Sequence, residues 1–133
     1  MKTMGVLMLV VILACPVFGQ AKPQTKPRAT LQQQKMCAEQ AQKAFEDYRT
    51  SNGFWSYTNH FDASTNVCYM EIDYADEAYS AITVYDAFEK RAVASYMGDN
   101  KGILGCHVGV ADCKSLGGFL ILLDKRFGVG QWR

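Results

Sequence analysis

Two histidines, five cysteines and a run of acidic residues are the side chains of this 133-residue chain that could do chemistry. His60 stands two residues from Asp62, with Ser56 and Ser64 on either side, and these are the residue types of a nucleophilic triad. A serine hydroxyl becomes nucleophilic when an imidazole, oriented by a carboxylate, takes its proton. The groups are present without their setting, because no Gly-x-Ser-x-Gly elbow occurs and no oxyanion-hole glycine loop flanks Ser56 or Ser64. A small secreted hydrolase using His60 and Asp62 is therefore the alternative function. His107 adjoins Cys106 and could activate a thiolate, but a disulfide-bonded cysteine has none to activate. The order is also not the C-x-x-C-H of haem attachment. For both histidines a structural or solvated role is the expectation.

Metal chemistry fares no better. Glu71, Asp73, Asp76, Glu77, Asp86 and Glu89 form an oxygen-rich region of the kind that binds calcium. Their spacing is not that of an EF-hand loop, and charged side chains on strands also keep sheet edges from pairing with other chains. Zinc would need the thiolates with His60 or His107, yet no C-x-x-C pair is present. Neither a metal nor a cofactor is expected.

A recognition surface has more behind it than a metal site. Residues 53–62, G-F-W-S-Y-T-N-H-F-D, are the densest aromatic segment, and Trp and Tyr give large contact area at little entropic cost. Trp55, Tyr57, His60 and Phe61 are the candidate ligand- or partner-binding residues. For the segment as a whole the favoured role is nonetheless a helix-to-strand connection whose aromatics cover a sheet edge.

These residues sit on a scaffold that the hydropathy pattern outlines. Residues 66–97 read as a three-stranded antiparallel meander. In the first strand Cys68, Met70, Ile72 and Tyr74 alternate with Tyr69, Glu71 and Asp73, one face buried and the other wet. Turns fall at 75–77 and 86–90, with strands at 79–85 and 91–97 and an exposed loop at 98–102. Thr30 and Gln33 form a capping box ahead of an amphipathic helix, whose apolar stripe is Cys37, Ala41, Ala44, Phe45 and Tyr48. Near the other end Leu116, Phe119, Leu120, Leu123 and Phe127 recur at helical spacing, Lys125 and Arg126 favour the negative helix end, and Gly128 follows as the cap. The fold class is α+β in the order α-β-β-β-α, with both helices on one face of the sheet and an acidic outer face.

Residues 1–21 read as a signal peptide, a Lys-bearing start followed by an apolar run too short to span a bilayer. Residues 12–15 also resemble a lipoprotein box, in which Cys15 would carry the lipid anchor; simple cleavage is preferred, because Leu13 suits that box poorly. Residues 22–34 form a basic flexible linker, 35–129 a single domain and 130–133 a tail. The chain carries 14 Lys and Arg against 13 Asp and Glu. Residues beyond 35 hold nine of those cations and all the acids, a formal charge near −4. Such a body lacks the clustered cations that nucleic acid requires.

Cys37, Cys68, Cys106 and Cys113 remain in the domain, and four cysteines in a small exported domain make two disulfides the default. Three pairings exist. The preferred one joins Cys37 to Cys68, stapling the first helix to the sheet, and Cys106 to Cys113, closing a short glycine-containing loop.

The segments M-C-A-E-Q-A-Q-K-A-F at 36–45, H-F-D at 60–62, N-V-C-Y at 66–69 and V-Y-D-A-F-E at 84–89 resemble small secreted bacterial proteins of uncharacterised function. The likeness extends over residues 36–127 and implies an envelope or extracellular setting, with no activity to carry over. The expected function is that of an exported, non-enzymatic, monomeric domain, secreted or periplasmic, which binds a protein or small ligand. A purely structural envelope lipoprotein is a further alternative.

Overall fold

The computed structural model describes residues 27–50 and 52–128. The signal peptide, Cys15, the first part of the linker and the tail lie outside the described residues. Helix α1 (Leu31–Tyr48) is followed by six strands, β1 (Phe54–Asp62), β2 (Val67–Ala75), β3 (Ser80–Asp86), β4 (Arg91–Asp99), β5 (Gly102–Val108) and β6 (Ala111–Asp112), and then helix α2 (Leu116–Phe127).

Both helices start, and α2 also stops, where their capping chemistry dictates. The Thr30 hydroxyl accepts from the Gln33 amide at 3.2 Å, and Gln33 Oε1 accepts from the Thr30 amide at 2.9 Å, satisfying two donors that a helix start leaves open. Residues 31–34 are thus the first turn of α1. Ser115 caps α2 by accepting from the Gly118 amide, and Gly128 ends it in the left-handed conformation that glycine adopts without strain.

The six strands form one antiparallel meander in sequence order, twice the expected three. The expected strands correspond to β2, β3 and β4. Missed were β1, whose aromatics read as a connection, and β5 and β6, which read as loop and disulfide loop. Gly102 and Gly105 lower the strand signal of β5, which is held instead by pairing with β4 and β6.

Residues paired across strands share a face, and their parity separates two cores. Cys68, Met70 and Ile72 of β2 pack with Cys37, Ala41, Ala44 and Phe45 of α1, as expected. Tyr69 belongs with Val84, Ala94 and Val108 and with Phe119 and Leu123 of α2. The helices therefore lie on opposite faces, and the expectation of a single covered face is corrected. The supposed acidic outer face is buried at β2, where Tyr69 is 8% and Glu71 2% exposed. Glu71 pairs with Val84, which pairs with Ala94 and that with Val108, so its carboxyl lies in the row beside the α2 core.

The disulfides pair as expected. Cys37–Cys68 ties α1 to β2 and Cys106–Cys113 closes the β5–β6 hairpin, with Cα separations of 5.4 and 5.2 Å. Two such bridges mark a non-cytoplasmic, oxidising environment. Among the described residues no helix is long and apolar enough to cross a membrane.

Candidate functional site

Successive residues of β1 point to opposite faces, so its aromatic segment is split in two. Trp55 and Tyr57 face α1. The Tyr57 ring stacks on Phe45 with centroids 4.5 Å apart, while Trp55 lies 4.5 Å from Tyr74 and its Nε1 donates to the Asn52 carbonyl at 2.8 Å. Both side chains are half-buried structural members on that side of the sheet. His60 and Asp62 take the other face, opposite Tyr69 and Val67.

At the last residues of β1 the start of α1 and the end of α2 converge from the two faces. They enclose an open cleft of about 1250 Å³. His60, Phe61 and Asp62 line it, and Arg28, Asp124, Lys125, Arg126 and Phe127 complete its rim and walls. The cleft thus brings together two of the four candidate residues and sets Trp55 and Tyr57 aside. The cations were legible in sequence only in other roles, Arg28 as a linker charge and Lys125 and Arg126 as helix-end residues. Nothing in sequence spacing joins position 28 to position 125.

Asp62 is committed to the β1–β2 turn. Its Oδ1 accepts from the Ser64 amide at 2.9 Å and the Ser64 hydroxyl at 2.6 Å, and Oδ2 accepts from the Thr65 hydroxyl at 2.9 Å. Burial alone would push its carboxyl up, but these donors outweigh burial and hold it below the usual carboxylate range. The His60 imidazole is lowered as well: burial pushes it below the ordinary value, and the nearby Asp62 charge opposes this in part. At neutral pH the pair is an anionic carboxylate and a neutral imidazole. A hydrolytic triad interposes the imidazole between hydroxyl and carboxylate, whereas here Ser64 donates to Asp62 directly.

The cations are differently disposed. The Arg126 guanidinium lies 5.7 Å from the centre of the Phe127 ring, which in turn packs 4.9 Å from Tyr69. Arg126 also approaches Gly109, where a Cβ would come within 2.3 Å of its Nη1. The ion pairs among the described residues, Lys35 with Glu39, Lys90 with Asp47 and Arg91 with Glu89, involve neither Arg28 nor Lys125. With three cations against the two carboxylates Asp62 and Asp124, beside an apolar wall, the cleft suits a small anionic group, a carboxylate or phosphate, better than a neutral ligand.

The remaining candidates are dispersed. His107 is exposed on β5 opposite Ser95, and its neighbour Cys106 is in a disulfide. Asp76 and Asp86 cap turns, and among the described residues no group of three or more His, Cys, Asp or Glu is placed to hold a metal ion. Comparison of the chain with models of protein families, with curated proteins and with solved structures finds no match.

Proposed function

We propose that the chain is an exported, non-enzymatic binding domain, secreted or periplasmic, which holds an anionic group in the cleft at the end of β1. The observation that carries this is the convergence of Arg28 and Lys125 from opposite faces onto one opening that also presents His60, Phe61 and Phe127. The cleft's three cations, Arg28, Lys125 and Arg126, outnumber its two carboxylates, Asp62 and Asp124, a local balance opposite in sign to the body's formal charge near −4. The signal-like start and the two disulfides support the export half of the reading. The employment of Asp62 and Ser64 in the turn supports a binding role over a hydrolytic one.

A thermal-shift screen of the mature protein against small carboxylates and phosphates tests this, run beside the Arg28→Ala/Lys125→Ala double variant. Stabilisation of the wild type by an anion, lost in the double variant, is the expected outcome. Ester or peptide cleavage that disappears in His60→Ala would overturn it in favour of a hydrolase.

A further inference from the structure

The two edges of the sheet are built differently. One edge is β6, two residues long and tied to β5 by the Cys106–Cys113 bridge. The other is β1, nine residues in unbroken register with β2 and, among the described residues, with no strand paired on its outer side. A strand of this length, about 30 Å at the usual rise, presents a row of outward backbone donors and acceptors. Protein edges of this kind are ordinarily blunted by lysine, proline, a bulge or brevity. Residues 54–62 contain no lysine, arginine or proline, and the register shifts of the sheet fall between β3 and β4 and between β4 and β5 instead.

We infer that β1 is a docking edge on which an extended acidic peptide from another protein adds as a seventh antiparallel strand. The inference rests on the proposed cleft and names the chemistry of its ligand. Antiparallel addition continues the pattern of the sheet and lays the peptide's N-terminal half along residues 59–62, so its acidic side chains enter the cleft toward Arg28 and Lys125. Its C-terminal half runs past Phe54, 70% exposed at the far end of the strand, and beside the half-buried edges of Trp55 and Tyr57. Apolar or β-branched side chains there would form cross-strand pairs with these aromatics. Charge at one end and aromatic surface at the other fix both direction and register, which backbone pairing alone leaves free. A second copy of the chain fits less well, because antiparallel pairing of two β1 strands centred on Thr58 would set Asp62 of each copy against Phe54 of the other.

The probe is a capped nonapeptide of alternating valine and threonine with two glutamates in its N-terminal half, titrated into the labelled mature protein and followed by backbone-amide NMR. Two further versions carry N-methyl groups on alternate residues, in each of the two phases. Strand addition predicts the largest shifts in β1, slowed amide exchange there, loss of binding for one methylation phase and near-unchanged binding for the other. Replacing the glutamates by lysine, or Arg28 and Lys125 by alanine, weakens binding by about tenfold. Equal effects of the two phases would overturn strand addition, and if the charge dependence persisted the anion cleft would stand without it. Shifts confined to surfaces away from β1, or a concentration-dependent dimer paired through β1 without peptide, would overturn it also.

Discussion

Aspartate does the same work at four successive turns. Asp62 accepts from the Ser64 amide, Asp76 from Ala78 and Tyr79, Asp86 from Phe88 and Glu89, and Asp99 from Lys101 and Gly102. Each such carboxylate satisfies amides that a tight turn leaves open, which accounts for much of the acidic excess without a ligand. Asp86, 9% exposed, is the most enclosed of them, so Asp86→Ala should cost about 1–3 kcal/mol, read by urea unfolding. Asp86→Asn keeps an accepting oxygen and should cost less. In sequence Asp76 and Asp86 looked like part of a calcium-type cluster or a solvated face and Asp62 like a partner of His60, because composition shows the charge and not the amide it meets. The lowered imidazole of His60 has a pH consequence of definite sign. The folded state binds a proton at His60 less readily than the unfolded chain, so its contribution is fully present above pH ~6.5 and is lost as pH falls through that value toward the lower folded one. His60→Gln should flatten the part of the stability loss that falls just below pH 6.5, and the His60 NMR titration should have its midpoint below about 6.5.

At the scale of elements, the two disulfides invite comparison because they close loops of such different length, 31 and 7 residues of separation. Loop-closure entropy gives about 3.7 kcal/mol for Cys37–Cys68 and about 2.5 kcal/mol for Cys106–Cys113. Both cysteines of the first bridge are 1% exposed in the α1 core, so its removal also disturbs packing. Replacing Cys37 and Cys68 by alanine should therefore lower the urea midpoint more than replacing Cys106 and Cys113. Gly53 marks the entry to β1 with φ +83°, and a Cβ there would approach Tyr74 Cε2 to 2.4 Å. Gly53→Ala should destabilise by at least about 1 kcal/mol from backbone strain alone, and the Trp55–Tyr74 contact beside it should report the change in near-UV dichroism. The helices were legible because capping residues and apolar spacing agree in them. The strand β1 had legible alternation too, with Trp55, Tyr57 and Phe61 on one side and Ser56, Thr58 and His60 on the other. Its aromatic density suggested recognition, and a half-buried edge strand carries the same residue types as a binding loop.

The molecule as a whole is one sheet with a helix on each side, and this was the least legible level. Tyr69 and Glu71 in β2 looked like members of a wet face because glutamate is rarely buried, and only the placement of α2 across β4 and β5 shows otherwise. The cleft shares this origin: it exists because the start of α1 and the end of α2 meet one sheet end from opposite sides, a geometry that helices stacked on a single face would not produce. The shared sheet also couples the two cores, since β2 contributes Met70 to one and Tyr69 to the other. Phe119, fully buried against β4 and β5, is far in the chain from Trp55, which sits on the α1 side. Phe119→Ala should cost about 3–5 kcal/mol. If the cores unfold as one, the loss appears equally in Trp55 fluorescence, measured in a Trp132→Phe background, and in far-UV dichroism, with coincident transitions. A Trp55 signal that keeps its original midpoint while the helical signal falls early would show two independent halves, and a ligand spanning α1 and α2 at the cleft would then be the element that joins them.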